Sequence, residues 1–249
     1  MLKNSIYIVC TLFVIVCVNA DVQAAEKNLA AHWSLDDGAG TTAKDMSGND
    51  NHGKISGKVK WVAGKVGKAL DCDGSTAVDG GWAASLNIPQ NITTEYWIKP
   101  GVTIDSTGKR VNVLYMLWGP MFAFNTGWGA KGALTYWYDG PSPKPTIHSK
   151  TTEWEKDKWY YIVGVYDGSA SKLYVNAKEE GSIKCKGDIK KREKSLVFGP
   201  KYVGIIDEVK VYSLAKSAQE IKSSYEDPTA AVDASGKLTL TWGQLKIGL

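Results

Sequence analysis

The run "GIIDEVKVYS", Gly204 to Ser213, alternates apolar and polar side chains, and the same two-residue period recurs between clusters of Gly, Pro, Asn and Asp. A period of two puts every second side chain on one face, which a strand satisfies and a helix does not. In "LAAHWSLDD", Ala31, Trp33 and Leu35 share one face while His32 and Ser34 share the other. "TEYWIKP" and "KWYYIVGVYDG" carry apolar groups on both faces, the pattern of strands enclosed on two sides. "SKLYVNAKEEG" reads as a hairpin turning near Asn176. Many short strands with this punctuation predict an all-β fold, a sandwich or jelly roll. One short C-terminal helix is predicted from Ser217 in "SAQEIKSSYE", where Ser217 and Glu220 have capping-box spacing and Ile221 with Tyr225 forms an i, i+4 apolar pair.

A chain of 249 residues with 43% hydrophobic content suits one domain with a sizeable core. Ten Trp and twelve Tyr stand against four Phe, a balance that favours surfaces half apolar and half wet. Thirty basic and 26 acidic residues are too evenly matched to imply a nucleic-acid partner, and the basic stretch "KCKGDIKKREK" reads as a solvated loop.

Lys3 precedes the apolar run Ile6 to Val18, and small residues follow. This is the layout of a secretory signal over residues 1–25, with cleavage after Ala20 or Ala25, and the run is short for a membrane span. The expected location is therefore secreted or in the cell envelope, with no transmembrane anchor in the mature chain. Beyond a domain over 26–226 lies a tail, 227–249, in which Leu238, Leu240 and Trp242 alternate. The mature chain keeps Cys72 and Cys185. Export permits a bridge between them, but Cys72 shares a strand face with Leu70, where a small buried hydrophobe fits.

Four stretches, "AHWSLDDGAGTTAKDMSGNDNHGKISG", "KWVAGKVGKALDCDGS", "KWYYIVGVYDGSASKLYVNAKEEG" and "YVGIIDEVKVYSLAKSAQEI", follow one another in an order that resembles the laminin G-like jelly-roll domain of the concanavalin A-like lectin/glucanase superfamily. The likeness runs from Asn28 to Glu226, is weakest over residues 100–150, and implies two antiparallel sheets packed face to face as a jelly-roll sandwich. Departures are Cys72 in place of an aromatic, "LAKS" before the helix, and Asn176-Ala177 where Asp-Gly is usual. Ala adopts a left-handed backbone poorly, which puts a tight type I′ turn in question.

The resemblance implies a binding module, an enzyme or an adhesive unit, and residues must discriminate. The leading reading is a secreted, non-catalytic module for an extracellular glycan or cell-surface component. Among the aromatics of residues 115–138, Trp118 and Trp128 are each followed by Gly in a turn-like context. Trp137 with Asp139 would set a stacking ring beside a hydroxyl acceptor. In "LTYWYDG", Leu134, Tyr136 and Tyr138 share one face and Thr135, Trp137 and Asp139 the other, so one set must meet the core. The alternatives are a structural or adhesive envelope protein and a glycoside hydrolase. The hydrolase signature E-x-D-x-x-E is absent, and Asp207 and Glu208, adjacent on a strand, are expected on opposite faces.

Asp45, Ser47, Asn49 and Asn51 place oxygen at alternate positions, but the segment lacks the Gly and Glu of an EF-hand loop. Related domains tie this early loop to the last strand through calcium. The resemblance therefore implies a structural calcium held by Asp45, Ser47, Asn49, Asn51 and Asp207, with Asp207 expected on the core side beside Val209 and Val211. Otherwise Asp45 closes a turn and Asp207 accepts backbone N–H bonds.

Overall fold

A computed structural model describes residues 28–229, apart from residues 106, 117, 118, 192 and 193. The signal and most of the tail lie outside the described residues. In chain order the strands are β1 (Leu29–Trp33), β2 (Thr42–Ala43), β3 (Gly53–Ser56), β4 (Trp61–Ala63), β5 (Lys68–Asp73), β6 (Ala77–Asp79), β7 (Ile92–Pro100) and β8 (Val111–Met116). There follow β9 (Met121–Phe124), β10 (Leu134–Trp137), β11 (Thr146–His148), β12 (Tyr160–Tyr166), β13 (Ala170–Val175), β14 (Lys178–Lys184), β15 (Leu196–Phe198), β16 (Val203–Tyr212) and the helix α1 (Ala218–Glu226).

They form two eight-stranded sheets. Sheet A runs β14-β13-β12-β7-β16-β5-β4, with β1 also on β16, and sheet B runs β11-β10-β9-β8-β15-β6-β3-β2. The core between the sheets is aromatic. Phe122 and Tyr136 stack with centroids 4.6 Å apart, and Tyr96 meets Phe122 edge-on. On the facing strand β12, a Cβ on Gly164 would lie 2.6 Å from Phe122 and 2.7 Å from Tyr136. A glycine at that point lets rings from sheet B reach sheet A.

The two-sided apolar pattern of β12 has a direct cause. Tyr160, Ile162 and Tyr166 face the inter-sheet core, while Tyr161, Val163 and Val165 join Trp97, Tyr174 and Ile221 in a second cluster. α1 covers that cluster: Tyr225 stacks on Trp97 at 5.6 Å. The helix starts as expected, with Ser217 as N-cap and a complete capping box to Glu220. Beneath it Lys216 Nζ lies 2.9 Å from Glu95 Oε2, and both residues are buried. Tyr161 and Tyr212 donate their hydroxyls to the same carboxylate. Burial pushes Glu95 up, but the charges of Lys216 and Lys210 and the hydrogen bonds from Lys216 and Tyr161 outweigh it and hold the acid below its ordinary value.

The central hairpin corrects the reservation about its turn. Val175 pairs with Lys178, and both intervening residues have positive φ, 49° at Asn176 and 62° at Ala177, as a type I′ turn requires. Asn176 is pinned to β12, accepting from the Tyr161 N–H and donating to the Tyr161 carbonyl, and Ala177 packs against the second cluster. These contacts offset the strain of Ala at that position.

Cys72 and Cys185 are both buried free thiols, as the packing argument for Cys72 expected. Burial pushes the Cys72 thiol up to about 12, which makes it inert.

Candidate functional site

The outer face of sheet B has no helix over it among the described residues. Strand register sets one row across it: Thr146 opposite Trp137, Trp137 opposite Met121, Met121 opposite Tyr115, Tyr115 opposite Val197, and Val197 opposite Asp79. Met121, Tyr115 and Val197 are half-buried, whereas Asp79 is exposed. Four apolar side chains thus line up over about 14 Å, three strand spacings. A parallel row begins with His148, Thr135 and Ala123.

The loop after β9 folds over the β11 end of this face. Gly129 sits so close to the His148 ring that a Cβ would collide with it. His148 Nδ1 is 3.0 Å from Thr135 Oγ1, which in turn is 3.0 Å from Thr126 Oγ1. Burial holds the His148 imidazole below its ordinary value and so neutral at pH 7. The loop presents Trp128 with 56% of its surface exposed, edge-on to Trp137 at 5.2 Å. Arg110, exposed on the neighbouring loop, lies over both rings, 5.7 Å from Trp128 and 5.4 Å from Trp137.

The predicted residues divide accordingly. Trp128 is exposed, as expected. Trp137 lies on the outer face, yet it is only 3% exposed because Trp128 and Arg110 cover it, so it supports the site and offers no free ring. Asp139 is held in an ion pair with Lys144. Trp118 lies outside the described residues. Tyr136 and Tyr138 are core residues, as the alternation allowed. Arg110, Met121 and Val197 were not anticipated. Only strand pairing brings the last two together, and no local signal marks Arg110.

The loop at Asp45–Gly53 is a fastener. Asp45 Oδ1 accepts from the His32 and Ser47 N–H groups, and Oδ2 accepts from the Asn51 N–H and the Ser47 hydroxyl. Asn49 and Asn51 direct amide N–H donors at the carbonyls of Leu29 and Ala30, and Ser47 donates to Ala30 as well. Donors pointed inward do not make a calcium shell. Asp207 does not join them: its Oδ2 accepts from the Lys65 and Val66 N–H groups and its Oδ1 from the Glu208 N–H. Among the described residues no group of three or more His, Cys, Asp or Glu side chains is placed to hold a metal ion. The five predicted ligands therefore do not fit calcium as a set.

The expected facing of Asp207 is also corrected. A bulge between Asp207 and Lys210, with Glu208 at φ 49°, inserts an extra residue into β16. Ile206 and Val209 both face the core, whereas Asp207 pairs with Trp97 and lies on the outer side of sheet A. Glu208 turns the same way, 3.0 Å from His32 Nε2 and 2.9 Å from Lys210 Nζ. The two acids thus share a side, contrary to simple alternation, but both are buried and committed to partners. Burial, with Glu208 adding to it against the backbone donors, pushes Asp207 up to about 8. Burial also pushes Glu208 up, but the His32 hydrogen bond and Lys210 outweigh it and hold Glu208 down.

A sequence profile described as the concanavalin A-like lectin/glucanases superfamily matches residues 73–222. No curated protein matches the chain. Among solved structures, domain 4 of AbnA, a GH43 extracellular arabinanase from Geobacillus stearothermophilus in complex with arabinotriose, is similar at TM-score 0.60 and 22% identity, covering 79% of this chain and 97% of that one. The binding domain of Paraclostridial Mosquitocidal Protein 1 aligns at TM-score 0.62 and 16% identity over 80% of this chain and 52% of its own. The botulinum neurotoxin serotype D ligand-binding domain in complex with N-acetylneuraminic acid aligns at 0.59 and 16%, over 80% and 50%. The chain thus spans about half the length of these two toxin domains. At such identities the likeness is one of fold.

Proposed function

The chain belongs to the concanavalin A-like lectin/glucanase superfamily, and from that premise we propose that it is a non-catalytic carbohydrate-binding module. The observation that carries this reading is Trp128, an exposed ring braced edge-on against Trp137 at one end of the apolar row on sheet B. Sugars offer apolar C–H faces to such a ring, and a rigid aromatic loses little entropy on binding. The arabinotriose and N-acetylneuraminic acid held by similar structures support a glycan ligand. A glycan screen on wild type and Trp128→Ala tests it. Wild type should bind and the variant should lose binding with an unchanged melting temperature. A folded wild type that binds no glycan sinks the reading.

The working location is outside the cytoplasm, on the strength of Lys3 and the apolar run behind it. No helix among the described residues is long and apolar enough to cross a membrane. N-terminal sequencing of exported protein should begin at Asp21 or Glu26, and intact Met1 on soluble protein would overturn the assignment. The reading assigns calcium no part, so chelator should leave both melting and glycan binding unchanged. A melting temperature that rises with added calcium would restore it.

A further inference from the structure

The Trp128 site carries a charge that a neutral sugar would not require. Arg110 is exposed, and among the described residues no carboxylate lies within ion-pair distance of its guanidinium. Its Nε donates to Asn112 Oδ1 at 3.2 Å, which fixes the plane of the group and leaves the terminal N–H donors for another acceptor. The rings of Trp128 and Trp137 hold its position. The loops on either side contribute Lys109 and Lys131, both exposed. The one acid in these loops, Asp105, turns its Oδ1 to the Thr107 N–H and hydroxyl and makes no ion pair with Arg110. Asn125 donates to the Asp105 carbonyl and so ties the two loops together.

A planar fork held beside an exposed aromatic face, with positive charge around it, matches a ring that carries a carboxylate. We propose that the site binds a carboxylated glycan, a uronic-acid polysaccharide, with Arg110 taking the sugar carboxylate in a two-pronged hydrogen bond while Trp128 stacks on the same or the adjoining ring. This rests on the glycan-binding reading and goes beyond it by naming the ligand class. Arg110 sets specificity and Trp128 supplies contact that is indifferent to charge.

Titration calorimetry with trigalacturonate, its methyl ester and arabinotriose separates the two levels. Wild type should bind trigalacturonate at least tenfold more tightly than the ester, and raised salt should narrow the gap. Arg110→Gln should bring the ratio of acid to ester affinity down to about one, and Arg110→Lys should recover only part of the preference because it keeps the charge but not the fork. Thermal melts of both variants confirm folding. Equal affinity for acid and ester, or an Arg110→Gln variant that loses both alike, overturns the carboxylate assignment and leaves the glycan reading standing; in the second case Arg110 merely braces the ring. Binding of dextran sulfate as tight as trigalacturonate also overturns it, as general attraction of anions. Failure of all three sugars overturns the carboxylate assignment, and the glycan reading falls with it only if the glycan screen is blank as well.

Discussion

The outer faces of the two sheets are built from the same kinds of residue but are covered differently. On sheet A, Trp97, Tyr161 and Tyr225 lie beneath or within a helical cover, the buried pair of Lys216 and Glu95 sits under it, and Lys65 stands 4.3 Å over the Trp97 ring. On sheet B, among the described residues, Trp137 and Tyr115 lie under no helix, Trp128 projects into solvent, and Arg110 stands over the rings with no acid within ion-pair distance. Aromatic content thus does not distinguish a covered face from an open one. What differs is the cover: α1 lies over the rings of sheet A, whereas Trp128 on sheet B projects into solvent.

The comparison breaks most readily at the buried pair of sheet A. Lys216→Met leaves Glu95 charged and buried without its main partner, and should cost about 3–5 kcal/mol in denaturant unfolding. Adding Glu95→Leu should make the double variant more stable than the single one, because both charges are then gone. If Lys216→Met costs under about 1 kcal/mol, the face is wetter than its burial indicates. Trp97→Ala, at 2% exposure under Tyr225, should be similarly expensive, about 3–5 kcal/mol.

Asp207 gives an effect that depends on pH. Its ordinary value is 3.8 and in the fold it rises to about 8, so between those limits the folded chain keeps a proton that the unfolded chain releases. Stability from this group is therefore present at low pH and lost as pH rises, by at most about 1.4 kcal/mol per unit. Glu95 and Glu208, held low, act in the opposite sense and weaken the fold only as pH falls into the carboxylate range. Wild type should thus lose ground to Asp207→Asn between pH 5 and 8. Parallel pH profiles for the two proteins would mean that the three backbone N–H groups keep Asp207 ionised.

How much of this was legible varies with the physics involved. Strand alternation and the Ser217 capping box are local, so the sandwich and the helix start could be read directly. The β16 bulge could not: no Gly marks it, and Glu208 takes the left-handed conformation itself, which moved Asp207 to the other face of the sheet. The period sets Trp137 and Tyr136 on opposite faces without saying which meets the core, and it does not give depth, because the cover on Trp137 comes from Trp128 in a loop. Asp45 stands out by its spacing and by the family resemblance. Spacing does not say whether oxygen atoms converge on a cation or face N–H donors, and here they face donors.

A smaller effect tests the cover over sheet A. Ser217→Ala removes the hydroxyl that accepts from the Glu220 N–H and should cost about 1 kcal/mol. Glycan binding should not respond, since α1 packs on the other sheet. A parallel loss of binding would mean that the two faces are coupled.

The smallest stability change is expected where the functional change is largest. Trp128 has more than half its surface in water and its main contacts are one ring edge and the Arg110 guanidinium. Truncation uncovers Trp137 and releases Arg110, but leaves no cavity within the core and strands no hydrogen-bond donor in a dry site. Trp128→Ala should accordingly shift unfolding by no more than about 0.5 kcal/mol, against the several expected at Trp97. Measuring the two variants together by denaturant titration makes the contrast internal to one protein. Equal costs would mean that Trp128 is anchoring the loop over His148, and the outer face of sheet B would then be a packed surface like its counterpart.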